Sequence, residues 1–352
     1  MTDWNTLSPH RPTGIDDHLY VDRPDSASRM LAERIRAGGG PFAVAGPMGC
    51  GKTSEIFAAA TMLQQDYVVV MVPLDRMMDM RTISVPEVLR AINSRIFDLA
   101  ERHLKIQLPD QLKKQIEGAF LVRSSPAHAD ILRNTLREVR RHSIQQKIVL
   151  MLDGLEKVAS SVASEILVSL FSYSAEASLV FVVSPNLVSG PQSYEIVNQA
   201  RVVSIDPVNV WNEDEGFVEG RKFLLEIAKR RLSLNSISNG FADQLDMAAF
   251  YSGGVPRVFL QILHDAAGFA SLSKRDFPID VDFGRAIADQ ADSLFRVLRD
   301  GDLESLRLAN GTSGVEVQID RRLRFLTHGL LLHYHVNHQV VARPAPLLLR
   351  YL

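Results

Sequence analysis

The segment PFAVAGPMGCGKTSE, residues 41–55, sets a short apolar run against a glycine-crowded turn and a Lys-Thr pair that opens a helical pattern. Gly46, Pro47, Met48, Gly49, Cys50, Gly51, Lys52 and Thr53 satisfy the spacing GxxxxGK[ST] in strand, loop, helix order. Glycines let such a loop turn with its N–H groups inward, a nest at a helix N-terminus that favours polyanions. Lys52 then reaches the outer phosphates, the Thr53 hydroxyl suits Mg²⁺, which takes oxygen ligands, and Ser54 completes the contact. The pattern predicts a bound nucleoside triphosphate with Mg²⁺. The bland alternative is a glycine turn that only joins strand to helix. Cys50 is read as a passive small residue, with a redox switch as the alternative.

Outward from this loop, apolar runs alternate with helical segments. A helix closes at Gly38 to Gly40 after SASRMLAERIRA, with Ser26 or Ser28 as its expected cap. Strands are expected at 41–46, 67–75, 147–153, 178–185 and 201–208, and helices at 52–65, 85–104, 110–142 and 160–175. Nearly unbroken, β-branched runs suit strands buried on both faces of a parallel sheet. Five of them with helical crossovers make a three-layer α/β domain. After 209 helices are expected at 213–233, 239–251 and 255–272, then near 281–299, 302–309 and 318–328, followed by GLLLHYHVNHQVVARP as a hairpin with an Asn-containing turn. Helices followed by a hairpin suggest a winged helix-turn-helix. The division is an N-terminal arm (1–20), a nucleotide domain (21–208), a helical lid (209–274) and a winged-helix domain (275–352).

A phosphate loop needs an acidic partner on a neighbouring strand, and KIVLMLDGLEKV supplies Asp153 for Mg²⁺. Glu156, three residues on, is the candidate for orienting the attacking water as general base, with a solvated Glu as the alternative. Asn186, after the 178–185 strand, is placed to touch the γ-phosphate; an ordinary turn asparagine is the alternative. In YSGGVPRVFLQIL, Pro256 suits a first helical turn, which sets Arg257 at the positive end of a helix dipole, a mildly costly place that an anionic partner relieves. Arg257 is therefore expected to reach the nucleotide, with a merely solvated arginine as the alternative. Arg201, which opens the last strand, is the candidate finger toward a neighbouring subunit, against a plain strand-edge arginine.

Composition limits the rest. A net charge of −2 leaves no bulk attraction to nucleic acid or anionic lipid, so any such contact needs a local patch. One cysteine excludes both an intrachain disulfide and a thiolate zinc site. Neither a signal peptide nor an apolar run of about 18–20 residues is visible, which points to a cytoplasmic protein with no membrane contact. Between Arg321 and Leu352 lie five arginines and no acid, a local charge that the many Asp and Glu of 282–320 weaken, and that makes DNA contact through the winged helix a second option beside protein docking. His333, His335 and His338 fit alternating polar positions better than a metal set.

These residues together resemble the AAA+ superfamily and its signal-transducing relatives, the STAND ATPases, near the origin-recognition type, over about residues 20–345. The resemblance rests on YVDR (20–23), GPMGCGKT, LMLDGLE, Asn186, SGGVPR and the ending GLLLHYHVN…VARPAPLLL. It implies a P-loop NTPase sheet of order 5-1-4-3-2, a helical lid, a C-terminal winged helix and hydrolysis of ATP to ADP at the interfaces of a homo-oligomer. It also implies that adenine is held by the segment from Val21 to Arg23. Many members carry Glu directly after the acidic Mg²⁺ ligand, whereas this chain has Gly154, nearer to the STAND pattern. The expected activity is a slow ATPase acting as a nucleotide-controlled switch or assembly factor for a separate partner or effector protein, in defence or signalling. A DNA-binding ATPase of the origin-recognition or transposition-helper kind is the alternative. A small-molecule kinase fits less well, because residues 209–272 do not resemble an Arg-rich lid over an acceptor pocket.

Overall fold

The computed structural model describes all residues except 1–3, 9–12, 14–16, 120–124, 146, 191–192, 215, 234–238 and 315–316. Half of the expected N-terminal arm lies outside the described residues. The chain divides into two compact units, one of residues 28–45 and 55–204, the other of 1–27, 46–54 and 205–352.

The first unit is a five-stranded parallel sheet clothed by helices. Its strands are β1 (Phe42–Ala45), β2 (Val68–Pro73), β3 (Ile148–Asp153), β4 (Ser178–Val183) and β5 (Arg201–Ser204), in the order β2-β3-β4-β1-β5. Read from its other edge this is the expected 5-1-4-3-2. Register pairs Phe42 with Val180 and with Arg201, and Pro73 with Asp153. Every residue of β1 and β3 is buried, as strands covered on both faces require. The crossovers are α1 (Ala27–Arg36), α2 (Lys52–Leu63), α3 (Leu74–Met77), α4 (Val85–Asp98), α5 (Asp110–Ala119), α6 (Ser125–His142), α7 (Ser160–Phe171), α8 (Pro185–Ser189) and α9 (Ser193–Gln199). Leu89, Ile92, Leu132, Leu136, Ile166 and Leu167 from three of these helices share one core with the inward faces of the strands.

Three expectations shift. The helix foreseen at 85–104 is α-helical only to Asp98 and continues as a π turn, Leu99–His103. The stretch 110–142 forms two helices. β5 stops at Ser204 instead of 208, where its partner β1 ends at Ala45. The first N–H groups of α1 are taken by carboxylates: Asp25 accepts from Ala27 at 3.3 Å, and the buried Glu55 accepts from Ser28 at 3.0 Å.

In the second unit, α10 (Phe217–Arg231), α11 (Asn239–Tyr251) and α12 (Pro256–Leu272) pack Phe223, Leu224, Leu245, Phe259 and Ile262 into a core that also takes in Leu7 and the start of α13 (Asp280–Phe295). Then come α14 (Asp302–Ala309), α15 (Ile319–His328) and the antiparallel hairpin β6 (Leu331–Val336) and β7 (Gln339–Pro344). Asn337 and His338 both have positive φ, 49° and 63°, the form of a two-residue hairpin turn that matches strand twist. A bridge from Thr312 to Ala342 ties the approach to α15 onto β7. Among the described residues no helix is long and apolar enough to cross a membrane.

Candidate nucleotide site

The phosphate loop groups with the residues after 205 instead of with the sheet from which it grows. Lys52 and Thr53 form the first turn of α2. The Lys52 side chain is buried, and its Nζ donates to the carbonyls of Gly46 and Pro47, each at 2.9 Å. This folds the ammonium over the loop it completes. Met48 stands 60% exposed at the tip. Cys50 is fully buried, and burial pushes its thiol up to about 12, so at neutral pH it is protonated and unreactive. The passive reading of Cys50 follows.

Arg257 sits in the first turn of α12, behind Pro256 at the first helical position. Its backbone N–H donates to the Gly49 carbonyl at 3.3 Å. A Cβ built on Gly49, whose φ is 89°, would lie 2.7 Å from the Arg257 Cβ and 3.2 Å from Val255 Cγ1. Loop and helix therefore touch with no space for a methyl group. Arg257 is half-buried, and its Nε has no hydrogen-bond partner among the described residues. A cation set at a helix N-terminus with an unmet buried donor is a place an anion stabilises.

Arg23 is the second cation locked to this loop. It is buried, donates to Cys50 O at 2.9 Å and to Asp206 O at 2.7 Å, and pairs with Asp25. Its guanidinium also lies over Phe223, 5.8 Å from the ring centre. The N-terminal segment is thereby tied to the phosphate loop, and Val21 packs against the core of α10–α12. The Ser54 hydroxyl accepts from the Thr13 N–H at 3.2 Å.

Two links carry the loop's surroundings onward. The Tyr334 hydroxyl of β6, buried and pushed up by that burial, donates to Gly253 O at 2.8 Å. Arg343 of β7 pairs with Asp214 at 2.7 Å and lies over the Trp211 ring at 4.7 Å. Sequence reading missed Asp206, Asp214 and Tyr334, whose partners lie far away along the chain.

His335 of β6 faces the carboxylate of Asp206 at 3.1 Å, and that hydrogen bond raises its pKa. A raised folded value means the pair stabilises fully below the unfolded value of about 6.5 and loses its contribution as pH rises through the folded value. His335→Ala is thus expected to lower Tm more at about pH 5.5 than at about pH 8.5. With the imidazole 61% exposed, the effect stays within about 1 kcal/mol and shrinks in salt. Equal losses at both pH values would contradict the assignment.

In the sheet unit, Asp153 is the last residue of β3, 7% exposed, at the carboxyl edge of the sheet. Glu156 sits half-buried in the single 3-10 turn Leu155–Lys157. Between them Gly154 has φ 110°, and a Cβ there would come 3.1 Å from the backbone N of Asp75. A side chain at 154 would be both strained by this φ and tight against that backbone, and the next acid is Glu156, two residues further on. Lys157 pairs with Asp75 and pins the turn. Asn186 lies in the first turn of α8, just past β4 on that same edge, and its carbonyl accepts from Gly190 at 2.9 Å. Asp153, Glu156 and Asn186 are thus gathered at one edge of the sheet. Arg201 is not: it is exposed at the first residue of β5, opposite Phe42, at the amino edge. The chain itself joins the two units, since β1 runs from Ala45 straight into Gly46.

No family model matches the sequence, and no curated protein matches it. Solved structures do. The Orc2 protein of Aeropyrum pernix, in ADPNP–ADP complexes, superposes with TM-score 0.57 at 13% identity over 98% of this chain and 94% of that one. The Orc1 protein of the same organism, in complex with DNA, gives 0.53 at 14% identity over 97% and 93%. The chain shares the fold of these two Orc proteins, a P-loop NTPase fold.

Proposed function

We propose that the chain binds ATP with Mg²⁺, hydrolyses it slowly to ADP, and passes the state of its phosphate loop to the lid and the C-terminal module. The observation that carries this reading is the contact of Gly49 with the first turn of α12, where the Arg257 N–H meets the loop carbonyl without space for a methyl group. A loop that shifts on gripping phosphates must move that helix. Gly253, four residues before Arg257, holds the Tyr334 hydroxyl, so the hairpin is next in line.

In this reading Gly46 to Ser54 cradle the phosphates, with Lys52 on the outer pair, and Val21 to Arg23 flank the adenine. The donors Thr53 and Asp153 are oxygens, which fits Mg²⁺. When bound, Mg²⁺ neutralises charge on the outer phosphate oxygens. Glu156 accepts the proton of the attacking water, while Asn186 and Arg257 hold the γ-phosphate. Arg201, at the opposite sheet edge, has no part in its own chain's site, and its expected role lies toward a neighbouring copy. The arm, nucleotide domain, lid and winged helix take residues 1–20, 21–208, 209–274 and 275–352. The protein works in the cytoplasm as a homo-oligomer in its ATP state.

On partners, the likeness in fold to an origin-recognition protein solved with DNA supports a DNA-associated ATPase at least as well as a switch for a separate effector protein. Calorimetric titration with ATP and with ADP in Mg²⁺ tests the core of the reading. Saturable heat is expected for both nucleotides, and no heat for either would overturn it.

A further inference from the structure

The last 32 residues carry the arginines that make the C-terminal module a candidate for nucleic-acid contact. In a helix-turn-helix the second helix enters the major groove, with its N-terminal residues at the base edges. Here α14 and α15 stand in that order ahead of the hairpin.

Two of the three arginines of α15, Arg321 and Arg324, are committed inward, while Arg322 has a buried Nε with no hydrogen-bond partner among the described residues. Arg324 donates to both carboxylate oxygens of Asp302, at 2.6 and 2.5 Å. Arg321 brings its Nε to 3.5 Å from the same carboxylate, and donates to Ser305 Oγ at 2.7 Å and to Gly301 O at 3.3 Å. Asp302 is 0% exposed and opens α14, where it also accepts the Arg299 N–H at 2.7 Å. A buried carboxylate shared by two guanidinium groups is costly to strip of either one, whereas a phosphate in water offers each arginine only a solvated, salt-screened contact. Two further arginines of the stretch are paired, Arg343 with Asp214 and Arg350 with Asp292. At the N-terminal end of α15, where base edges would lie, the exposed residues are Gln318, Ile319 and Asp320, a carboxylate that repels phosphate.

We propose that Asp302 sets the specificity of the C-terminal module by holding Arg321 and Arg324 out of nucleic-acid contact, so that neither of these two arginines gives α15 a grip on a phosphate backbone. Any duplex the protein engages is then held through other groups. The inference rests on the order and side chains of α14 and α15 and stands whether or not the chain hydrolyses ATP.

Immobilised heparin, a polyanion, reads this in the full chain. Arg321→Ala removes a cation that is 37% exposed, and it is expected to elute at the same salt as the wild type; a wild type and variant that both pass straight through are the same outcome. Asp302→Asn releases the clamp and is expected to elute later. On a 20-base-pair duplex its log–log salt slope should be steeper by about 2, since each neutralised phosphate contributes about 0.9. Earlier elution of Arg321→Ala, or an unchanged elution and slope for a folded Asp302→Asn, overturns the proposal. If Asp302→Asn does not fold, the Arg321→Ala comparison decides.

Discussion

Lys52→Ala is expected to weaken ATP binding by about 10- to 100-fold and to lower turnover at saturating ATP by about 100- to 1,000-fold, the range for removing one preorganised charge from a developing anion. The ammonium is the only side-chain cation within the GxxxxGK[ST] stretch itself, and its bonds to the Gly46 and Pro47 carbonyls keep it on the loop. Removing it also leaves those two carbonyls without their donor, at a cost of about 1–3 kcal/mol, so a modest fall in Tm accompanies the loss. Calorimetry separates the two effects, because a protein that keeps its far-ultraviolet circular dichroism yet loses its ATP heat has lost the site and not the fold. Lys52→Arg keeps the charge but replaces a compact ammonium with a planar fork, and it should recover only part of the affinity. ATP affinity and turnover at wild-type levels in Lys52→Ala would remove the basis of the nucleotide reading.

How much of this was legible in the sequence depends on the range of the interaction. Elements set by local chemistry were readable. The strands show as unbroken apolar runs because both faces of the sheet are covered, and α14 spans 302–309 as its pattern predicts. The phosphate loop is a local motif whose backbone needs glycine at fixed places. What escaped is long-range pairing. The cap of α1 comes from Glu55, 27 residues beyond Ser28, and Arg343 finds Asp214 across 129 residues. The sequence shows a positive balance after residue 321 and many acids at 282–320 that weaken it, but not which carboxylate meets which arginine. Asp302, Asp214 and Asp292 all lie outside the stretch from Arg321 and pair with four of its five arginines. Gly154 shows the converse case: the glycine is plain in the sequence, and its φ of 110° and the Asp75 backbone N 3.1 Å from a Cβ there appear only in the structure.

Gly254→Ala is expected to cost about 3–5 kcal/mol and to lower Tm by roughly 5–15 °C, from overpacking against rigid backbone added to the left-handed strain of a non-glycine residue. Gly254 has φ 77°, and a Cβ there would lie 1.8 Å from the carbonyl oxygen of Val208, an atom with no side-chain freedom to retreat. That approach is held from both sides, since the Val208 N–H donates to Gly254 O at 3.1 Å and the Gly254 N–H donates to Ser252 Oγ at 3.2 Å. Moving the backbone aside would break the bond to Val208 and displace Val255 and Arg257, which carry the start of α12 onto Gly49. A loss of ATP affinity should therefore accompany the loss of stability, although residue 254 lies outside the phosphate-loop motif. Gly240→Ala is the control: a Cβ there meets nothing within 4 Å, so Tm and ATP affinity should stay close to wild type. If Gly254→Ala keeps both its Tm and its ATP affinity, the lid is not braced against the phosphate loop through this junction, and the coupling proposed between them loses its physical route.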